Sequence, residues 1–364
     1  MGTAFAQALE KAAEGKELAG EDLAALLEAE EAESPLLFNL ADKVRSRFVG
    51  DDIHLRGIIE FSNYCSKNCL YCGLRIDNRE LDRYRMSAAE IVEGSGRAAA
   101  LGCRTIVLQS GEDGFYTAGL LADIIRTVKE EFDVAVTLSV GDRTRTDYAI
   151  FRQAGADRYL LKHETSDARL FAALRPGTTL EDRLKRAAWL KELGYQVGSG
   201  NIVGLPGQGV ETLTADILLM RRMGVEMAGI GPFIPSSHTP LGGASGGSLE
   251  MALKTLAVTR LVLPRTHLPA TTAAATVDPL GRVKALKCGA NVIMPNMTPL
   301  SCRGGYCIYP GKAGHKETPE ESLATALRTI ERAGRGPAGD YGHAPGPAGK
   351  VEGVFQEEIF LTCP

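Results

Sequence analysis

The stretch Ile59-Glu-Phe-Ser-Asn-Tyr-Cys-Ser-Lys-Asn-Cys-Leu-Tyr-Cys-Gly73 joins the end of an apolar, β-branched segment to three cysteines. The segment, Ile53 to Phe61, has the composition of a buried strand. Cys65, Cys69 and Cys72 therefore lie in a loop that directly follows a strand. In folds built from parallel strands, such loops gather at one end of the sheet, where active sites form.

Further strand patterns follow the first one along the chain. Seven more apolar or β-branched segments recur at intervals of roughly 20 to 40 residues, and helical patterns separate most of them. Several of these helices begin at caps such as Ser87-Ala-Ala-Glu90 and end at glycines such as Gly102. The predicted strands are Ile53 to Phe61, Thr105 to Ser110, Val134 to Val140, Arg158 to His163, Gln196 to Val203, Met227 to Phe233, Leu268 to Val277 and Ala290 to Pro295.

This alternation of strand and helix predicts an α/β fold with parallel strands and right-handed crossovers. Eight such units over about 250 residues are the size of a TIM barrel, so a complete (β/α)8 barrel is predicted. An open doubly wound sheet is the alternative. The predicted organisation has an N-terminal helical extension at 1–50, the barrel at 51–310, a C-terminal helix at 311–333, and a flexible Gly/Pro-rich segment with an apolar tail at 334–364.

The composition of the chain excludes several classes of protein. Of its 364 residues, 44% are hydrophobic and 24% charged, as in ordinary globular proteins. The net charge of -4 provides no electrostatic footprint for nucleic acid or for an anionic membrane. No segment approaches the ~20 apolar residues that span a bilayer, and residues 1–30 show no secretory signal. A cytoplasmic protein without nucleic-acid or membrane partners is expected.

The three clustered cysteines are candidates for iron-sulfur chemistry. Spacings of four and three residues let them ligate three irons of one four-iron cluster, which leaves the fourth iron open to another ligand. A cluster that only transfers electrons would have a fourth cysteine, and a structural zinc site would have four ligands. Three buried free thiols are the remaining alternative, which a polar loop disfavours. The other cysteines are interpreted as core or lone thiols: Cys103, Cys288, Cys302, Cys307 and Cys363.

The CxxxCxxC spacing, with Tyr71 just before the third cysteine, resembles the signature of the radical S-adenosylmethionine (radical SAM) enzymes. This resemblance implies one 4Fe-4S cluster whose open iron binds S-adenosylmethionine (SAM), which is cleaved reductively to a 5'-deoxyadenosyl radical. The segment Ser110-Gly-Glu112 looks like the family's Gly-Gly-Glu motif, although an ordinary polar turn is the alternative. The residues that the resemblance assigns to SAM are Tyr71, Ser110, Gly111, Glu112, Ser139, Glu164, Arg183 and Ile234.

Six longer segments of the sequence are similar to the HydE family of FeFe-hydrogenase maturases. The first of them is Phe61 to Arg75 and the last is Cys288 to Asn296. That family is related to biotin synthase and methylornithine synthase. The resemblance implies radical attack on a cysteine-bound iron carbonyl cyanide unit during H-cluster assembly, with transient contact to the HydG and HydF maturases. The substrate residues that it implies are Gln109, Thr137, Arg158, Lys162, Thr271, Thr272, Met294 and Tyr306.

Two features depart from the family pattern. Lys162 replaces a usual arginine, which keeps the positive charge but loses the two-pronged geometry of a guanidinium. Lys162 and Arg158 lie four residues apart on a predicted strand, so both are expected on the face toward an anionic substrate; a solvated strand edge is the alternative. Residues 311–322 contain no cysteine, so the second cluster of some relatives is not expected.

Two other functions remain open at this point. A radical SAM enzyme similar to biotin synthase or methylornithine synthase would act on an organic substrate. Biotin synthase would need further barrel cysteines and an arginine ligand for a second cluster, and that set is not recognisable in the sequence. A non-catalytic iron-sulfur carrier or scaffold, by contrast, would hold a cluster without consuming SAM.

Overall fold

A computed structural model describes residues 2–346 of the chain. The helices in these residues are α1 (Thr3–Ala13), α2 (Gly20–Leu27), α3 (Ser34–Val49), α4 (Ala88–Ala100), α5 (Ala118–Glu131), α6 (Arg145–Gln153), α7 (Ala168–Leu174), α8 (Leu180–Glu192), α9 (Val210–Met223), α10 (Leu249–Val262), α11 (Thr272–Val277), α12 (Gly281–Leu286), α13 (Leu300–Arg303) and α14 (Pro319–Arg332). The strands are β1 (His54–Ser62), β2 (Thr105–Ser110), β3 (Ala135–Ser139), β4 (Arg158–Leu160), β5 (Gln196–Ser199), β6 (Ile202–Val203), β7 (Met227–Ala228), β8 (Gly231–Pro232) and β9 (Val292–Ile293).

One parallel sheet dominates the molecule. Its strand order is β7-β5-β4-β3-β2-β1-β9, while β6 and β8 form a separate parallel pair. Consecutive strands β1 to β4 are neighbours, and Thr105 of β2 lies opposite both Arg56 of β1 and Ala135 of β3. The predicted α/β class and parallel pairing are confirmed. Because the strands are parallel, the loops that follow them emerge at one edge of the sheet.

The sheet has seven strands among the described residues, whereas a complete barrel was expected to have eight. The seventh predicted strand, Leu268 to Val277, is wrong over its second half, where helix α11 begins at Thr272. The hydroxyl of Thr271 accepts a hydrogen bond from Ala274 N at 3.3 Å, which caps the helix. Three consecutive alanines, which have the highest helix propensity, then continue it.

The first half of that segment lies between the two edge strands. Ala228 N of β7 donates a hydrogen bond to His267 O at 3.0 Å, and Ala270 N donates to Val292 O of β9 at 2.9 Å. Only isolated bridges result, rather than a regular strand. The sheet is therefore curled, with its two edges brought toward each other through residues 267–270.

Two predicted strands are each interrupted by a glycine. The segment Gln196 to Val203 divides into β5 and β6 at Gly200, which has a φ of +146°. A Cβ on Gly200 would lie 2.1 Å from the carbonyl oxygen of Gly229, the residue at which Met227 to Phe233 divides into β7 and β8. The two interruptions contact each other, so β6 and β8 leave the main sheet together as a pair.

The three N-terminal helices share the hydrophobic core of the sheet. Helix α2 contacts α9 and α10, and α3 contacts α10. Leu23, Leu26 and Leu37 are fully buried members of the main core cluster. Burying a leucine side chain contributes about 1.5–3 kcal/mol to stability, so these helices are held by packing rather than by a few polar contacts.

Residues 335–346 pack against the amino ends of the strands. Tyr341 O accepts a hydrogen bond from Arg158 Nη2 at 2.6 Å, and Gly342 O accepts one from Arg56 Nη2 at 3.1 Å. Both arginines are buried, and burial lowers the pKa of Arg158 to about 10 and that of Arg56 well below its usual value. The carbonyl groups of this segment thus provide partners for two buried cations.

The structure describes the C-terminal part of the chain as far as residue 346. The helix expected at 311–333 begins at Pro319, where Thr318 caps α14. The segment expected to be flexible has defined contacts up to residue 346. Its remainder, 347–364, with the predicted apolar tail and Cys363, lies outside the described residues.

We expect Gly200→Ala to reduce the free energy of unfolding by roughly 2–4 kcal/mol, because the new methyl group would overlap the carbonyl of Gly229 at a strained φ. Gly207→Ala is the matched control, since Gly207 has a φ of +87° but no atom within 4 Å of the added Cβ. Its cost should be about 1 kcal/mol. Urea unfolding of the two variants measures the difference, and equal midpoints would contradict a role for the Gly200–Gly229 contact.

Candidate active site

A cavity of about 400 Å³ opens at the carboxyl ends of the parallel strands. It is lined by the loops that follow β1 to β4 and by segments from the second half of the chain. Most of the residues predicted for the site line this one cavity: Cys65, Cys69, Tyr71, Cys72, Gln109, Ser110, Gly111, Glu112, Ser139, Lys162, Glu164, Arg183, Ile234, Thr271, Thr272, Met294 and Tyr306.

The cysteine loop is held by contacts with the loop after β2. Ser66 N donates a hydrogen bond to Glu112 O at 2.9 Å, and Glu112 N lies 3.4 Å from Cys65 Sγ. A Cβ on Gly111 would lie 2.1 Å from the carbonyl oxygen of Tyr64. The two loops therefore approach more closely than any residue other than glycine would allow at this position.

The far end of the cysteine loop is held from the opposite side of the cavity. Gly73 N donates a hydrogen bond to Ile308 O at 2.8 Å. A side chain at Gly73 would meet the carbonyl oxygen of Cys307 at 2.2 Å. The glycine after the third cysteine thus allows the loop to pack against a segment more than 200 residues later in the chain.

Cys65, Cys69 and Cys72 all line the same cavity. Burial raises the pKa of each above its usual value, so each thiol is protonated at neutral pH unless a cation binds it. Across residues 2–346, no three His, Cys, Asp or Glu side chains are grouped as ligands of a single metal ion. Three cysteines that line one cavity can each bind a different iron of a larger cluster.

Charged side chains gather around Glu112 beside the cysteines. Its carboxylate lies 3.4 Å from Lys67 Nζ, 3.5 Å from Arg175 Nη2 and 3.9 Å from Arg183 Nη2. Arg183 is also 3.4 Å from Asp142. The Nε atoms of Arg175 and Arg183 are buried, and neither has a hydrogen-bond partner within the described residues. This arrangement suits a ligand that carries both an ammonium and a carboxylate group.

Arg175 also fixes the aromatic residue of the cysteine motif. Its Nη1 donates a hydrogen bond to the Tyr71 hydroxyl at 3.0 Å. Burial raises the pKa of Tyr71 well above its usual value, so the phenol is neutral and accepts this bond. The guanidinium therefore connects Tyr71 with Glu112, the acidic residue of the neighbouring loop.

Lys162 and Glu164 form an ion pair on the next part of the wall, with 3.0 Å between Nζ and Oε2. Although burial alone would raise the pKa of Glu164, Lys162 and Arg175 hold it below its usual value, so the carboxylate is ionised. Glu164 has a φ of 64° and is the one non-glycine residue of the described chain with a positive φ. Such strain persists where the surroundings hold a residue in place, which is frequent at functional sites.

A second buried ion pair lines the cavity from the opposite direction. Lys312 Nζ contacts Glu60 Oε1, and Asn296 Nδ2 donates a hydrogen bond to Glu60 Oε2 at 2.8 Å. The ammonium group also lies 5.0 Å from the centre of the Tyr306 ring. A buried charge is tolerated when it is paired and hydrogen-bonded in this way.

Two predicted substrate residues are not brought into the cavity. Arg158 begins β4 and donates a hydrogen bond to Thr105 Oγ1 at 3.0 Å, near the amino ends of the strands. Thr137 lies opposite Arg158 in the sheet, and its buried hydroxyl has no hydrogen-bond partner among residues 2–346. Arg158 and Lys162 therefore lie at different depths, and the expectation that both face one ligand is not supported by their placement.

Five charged residues of the cavity region were not predicted. Lys67 lies inside the cysteine loop after β1, and Asp142 follows β3. Both are polar residues just beyond the carboxyl end of a strand, so their position in the sequence could have indicated them. Glu60 is a carboxylate within an apolar strand, a pattern that indicates a paired buried charge. Arg175 and Lys312 come from loops, and no local signal in the sequence connects them with the cysteines.

Comparison with known proteins agrees with this geometry. A model of the Radical SAM superfamily matches residues 59–220. The FeFe hydrogenase maturase subunit HydE of Thermotoga maritima is 50% identical over 306 residues, which cover 84% of this chain and 88% of that protein. The chain belongs to the HydE family of radical SAM enzymes. The resemblance inferred from the cysteine loop is thereby confirmed.

Methylornithine synthases are also similar to this HydE-family protein. The 3-methylornithine synthase of Methanosarcina acetivorans is 30% identical over 332 residues, which cover 90% of this chain and 93% of that protein. A crystal structure of methylornithine synthase (PylB) superposes with a TM-score of 0.80 at 27% identity and covers 91% of this chain and 97% of that one. The shared fold thus extends well beyond the cysteine motif.

Membership of the family implies a 4Fe-4S cluster and SAM as cofactors. The residues present suit both groups, since three cysteines line the cavity and the nearby Arg175 and Arg183 have guanidinium nitrogens that make no hydrogen bond within residues 2–346. Within residues 2–346, no helix is both long enough and apolar enough to cross a membrane.

We expect Gly111→Ala to reduce iron incorporation at least several-fold, because the added methyl group would displace Tyr64 and the adjoining Cys65. The matched control is Gly114→Ala, three residues later, where a Cβ has no atom within 4 Å. Iron content and absorbance near 400 nm after anaerobic reconstitution measure the outcome. Equal iron content in the two variants would show that the close approach of Gly111 is not needed to form the site.

Proposed function

We propose that the protein cleaves SAM reductively at a 4Fe-4S cluster held by Cys65, Cys69 and Cys72, and directs the resulting 5'-deoxyadenosyl radical to a cysteine-bound iron carbonyl cyanide precursor of the H-cluster. The main support for this proposal is that these cysteines line the same cavity as most of the polar residues expected to bind SAM and substrate. The 50% identity to a FeFe hydrogenase maturase subunit supports the role in maturation.

In this proposal, charged residues beside the cysteines hold SAM. The Glu112 carboxylate accepts its ammonium group, and Arg183 binds its carboxylate with Nε and Nη2, which make no hydrogen bond within the described residues. Glu164, which is ionised and fixed by Lys162, accepts hydrogen bonds from the ribose hydroxyls. Arg175 orients both Tyr71 and Glu112, so the loops after β1 and β2 act together on one ligand.

The rest of the cavity wall is proposed to hold the substrate. Lys162 provides a cation for an anionic cyanide complex or for the carboxylate of its cysteine. Gln109, Thr271 and Thr272 offer neutral hydrogen-bonding groups, and Met294 provides a soft apolar contact. The apolar residues of the wall, among them Leu160, Leu161 and Phe233, exclude water from a radical that would otherwise react unselectively.

A second candidate is an enzyme that acts on an organic amino acid. The 30% identity to 3-methylornithine synthase over most of both chains favours it over a carrier protein. An amino acid substrate would use the same ammonium and carboxylate contacts. The higher identity to HydE makes the maturase the preferred function.

Three further expectations belong to this proposal. Residues 267–270 act as the eighth position of a closed (β/α)8 barrel, which is supported by their hydrogen bonds to both β7 and β9. The protein contacts the HydG and HydF maturases transiently, and it works in the cytoplasm. The maturase relative supports the choice of these partners.

We expect Cys69→Ser to abolish SAM cleavage, because two cysteines cannot hold the cluster with its open iron. Reconstituted protein with dithionite and SAM should yield 5'-deoxyadenosine, measured by chromatography. Cys302→Ser is the control, since Cys302 is partly exposed and does not line the cavity. Product formed equally by Cys69→Ser and the native protein would refute the radical SAM mechanism here.

A maturation assay separates the candidate functions. Deletion of the gene should leave a FeFe-hydrogenase without its two-iron unit and without activity, and the native gene should restore both. An active hydrogenase from the deletion strain would exclude the maturase role. In that case, formation of 3-methylornithine by the purified protein would support the second candidate.

A further inference from the structure

Glu164, the residue proposed to bind the ribose of SAM, lies at the centre of a tight turn. Thr165 N donates a hydrogen bond to His163 O at 2.8 Å, which closes a three-residue turn around Glu164. Because Glu164 has a φ of 64°, this is the rarer and more strained of the two forms of γ-turn. Such strain persists only where the surrounding structure holds it. The place of the Glu164 carboxylate in the cavity wall thus depends on the residues that hold this turn.

The carboxylate of Asp216, in helix α9, contacts both sides of the turn. Before Glu164 in the chain, His163 Nε2 lies 3.7 Å from Asp216 Oδ1. After Glu164, Ser166 N donates a hydrogen bond to the same oxygen at 2.5 Å. Asp216 and His163 are fully buried, and neither lines the cavity. Asp216 therefore acts on the turn from outside the cavity.

The second carboxylate oxygen of Asp216 holds the segment with which the turn pairs. Asn201 Nδ2 donates a hydrogen bond to Asp216 Oδ2 at 2.8 Å, and Asn201 lies opposite Glu164 in a parallel bridge. Within this bridge, Glu164 N donates to Gly200 O at 2.9 Å, and Ile202 N donates to Glu164 O at 3.0 Å. One buried side chain thus fixes both the turn and the backbone to which Glu164 is hydrogen-bonded.

Ser199 holds His163 from its other side. Nδ1 of the ring lies 2.9 Å from Ser199 Oγ, and His163 N donates a hydrogen bond to the same hydroxyl at 3.3 Å. Ser, His and Asp are the residue types of hydrolytic triads. Here, however, the serine is fully buried and does not line the cavity, so it is not available to a substrate. The three side chains instead form a support behind Glu164.

We propose that Asp216 is a positioning residue for SAM, which holds the turn closed so that the Glu164 carboxylate is aimed at the ribose hydroxyls before the ligand binds. This inference rests on the proposed function, which assigns the ribose to Glu164. Lys162 contacts the carboxylate of Glu164, whereas Asp216 holds the backbone around it, so the two contacts are separate. A turn that is already formed lowers the cost of binding, because it does not have to be ordered when SAM arrives.

Asp216→Asn tests this inference, because asparagine keeps the shape of the side chain but replaces one acceptor oxygen with a donor. The new amide would face Ser166 N or Asn201 Nδ2, both of which are donors, so one hydrogen bond would be lost. We expect the Kd for SAM to rise roughly tenfold. Calorimetry on the anaerobically reconstituted, oxidised protein, which does not cleave SAM, measures this change.

Steady-state kinetics distinguish a positioning role from a general structural one. With dithionite as reductant, the KM for SAM should rise in Asp216→Asn while kcat stays unchanged, since Glu164 is proposed to contact the ribose rather than the bond that breaks. A variant that is partly unfolded would lose kcat instead. A fall in kcat at an unchanged KM would therefore overturn the inference.

A double-mutant cycle identifies the residue through which Asp216 acts. Glu164→Gln should weaken SAM binding by itself, and adding Asp216→Asn should then have little effect, because the contact that Asp216 positions is already lost. The inference is overturned if Asp216→Asn raises the Kd equally with and without Glu164→Gln, or leaves it unchanged. Ser199→Ala, which removes only one hydroxyl of the support, should raise the Kd about threefold. If Asp216→Asn does not fold, an unchanged Kd in Ser199→Ala overturns the inference.

Asp22→Asn is the matched control. Asp22 is also buried and accepts a hydrogen bond from a backbone amide, Ala19 N, at 2.9 Å, but it joins helix α2 to Lys11 of α1. This variant should lower the free energy of unfolding without changing the Kd or the KM for SAM. A rise in Kd equal to that of Asp216→Asn would assign the effect to a general loss of stability and would overturn the positioning role.

The positioning role and the proposed function fail in different ways. A native protein that binds no SAM, or that forms no 5'-deoxyadenosine with dithionite, contradicts the proposed function. Native-like SAM binding by Asp216→Asn, in a protein that cleaves SAM, contradicts only the role of Asp216.

Discussion

The close contact between the loops that follow β1 and β2 is the constraint on which the site depends. Because these strands are parallel neighbours, their loops emerge side by side, and Gly111 lets the backbone of one reach the carbonyl of Tyr64 in the other. This contact sets the distance between the first cysteine and Glu112. The arginines that surround Glu112 can then act on the same ligand as the cysteines, although they come from later parts of the chain.

Local pattern predicted the part of the fold that contains the cysteine site. Strands β1 to β4 occur close to their predicted positions because each is an apolar run between a helix and a polar loop, and β2 spans Thr105–Ser110 as predicted. Most of the residues that line the cavity were predicted from their positions at the ends of strands. Parallel strands bring their carboxyl ends together, so polar residues at those ends meet even when about 100 residues separate them in the chain.

The remaining features depend on depth and on long-range contacts, which periodicity does not encode. Arg158 and Lys162 are four residues apart, so the two-residue period of a strand places them on the same face. Four residues of strand also separate them by about 13 Å, which is enough to leave one at each end of the sheet. Gly200 and Gly229 interrupt two strands because their backbones contact each other. The sequence of either segment, taken by itself, does not indicate this contact. Arg175 and Lys312 reach the cavity from loops whose paths are set by the assembled core.

The segment at 335–346 has a consequence for stability. Its carbonyls accept hydrogen bonds from Arg56 and Arg158 at the amino ends of the strands. A buried donor that loses its partner costs about 1–3 kcal/mol. The end of the sheet that does not carry the cavity thus owes part of its stability to the last described residues of the chain.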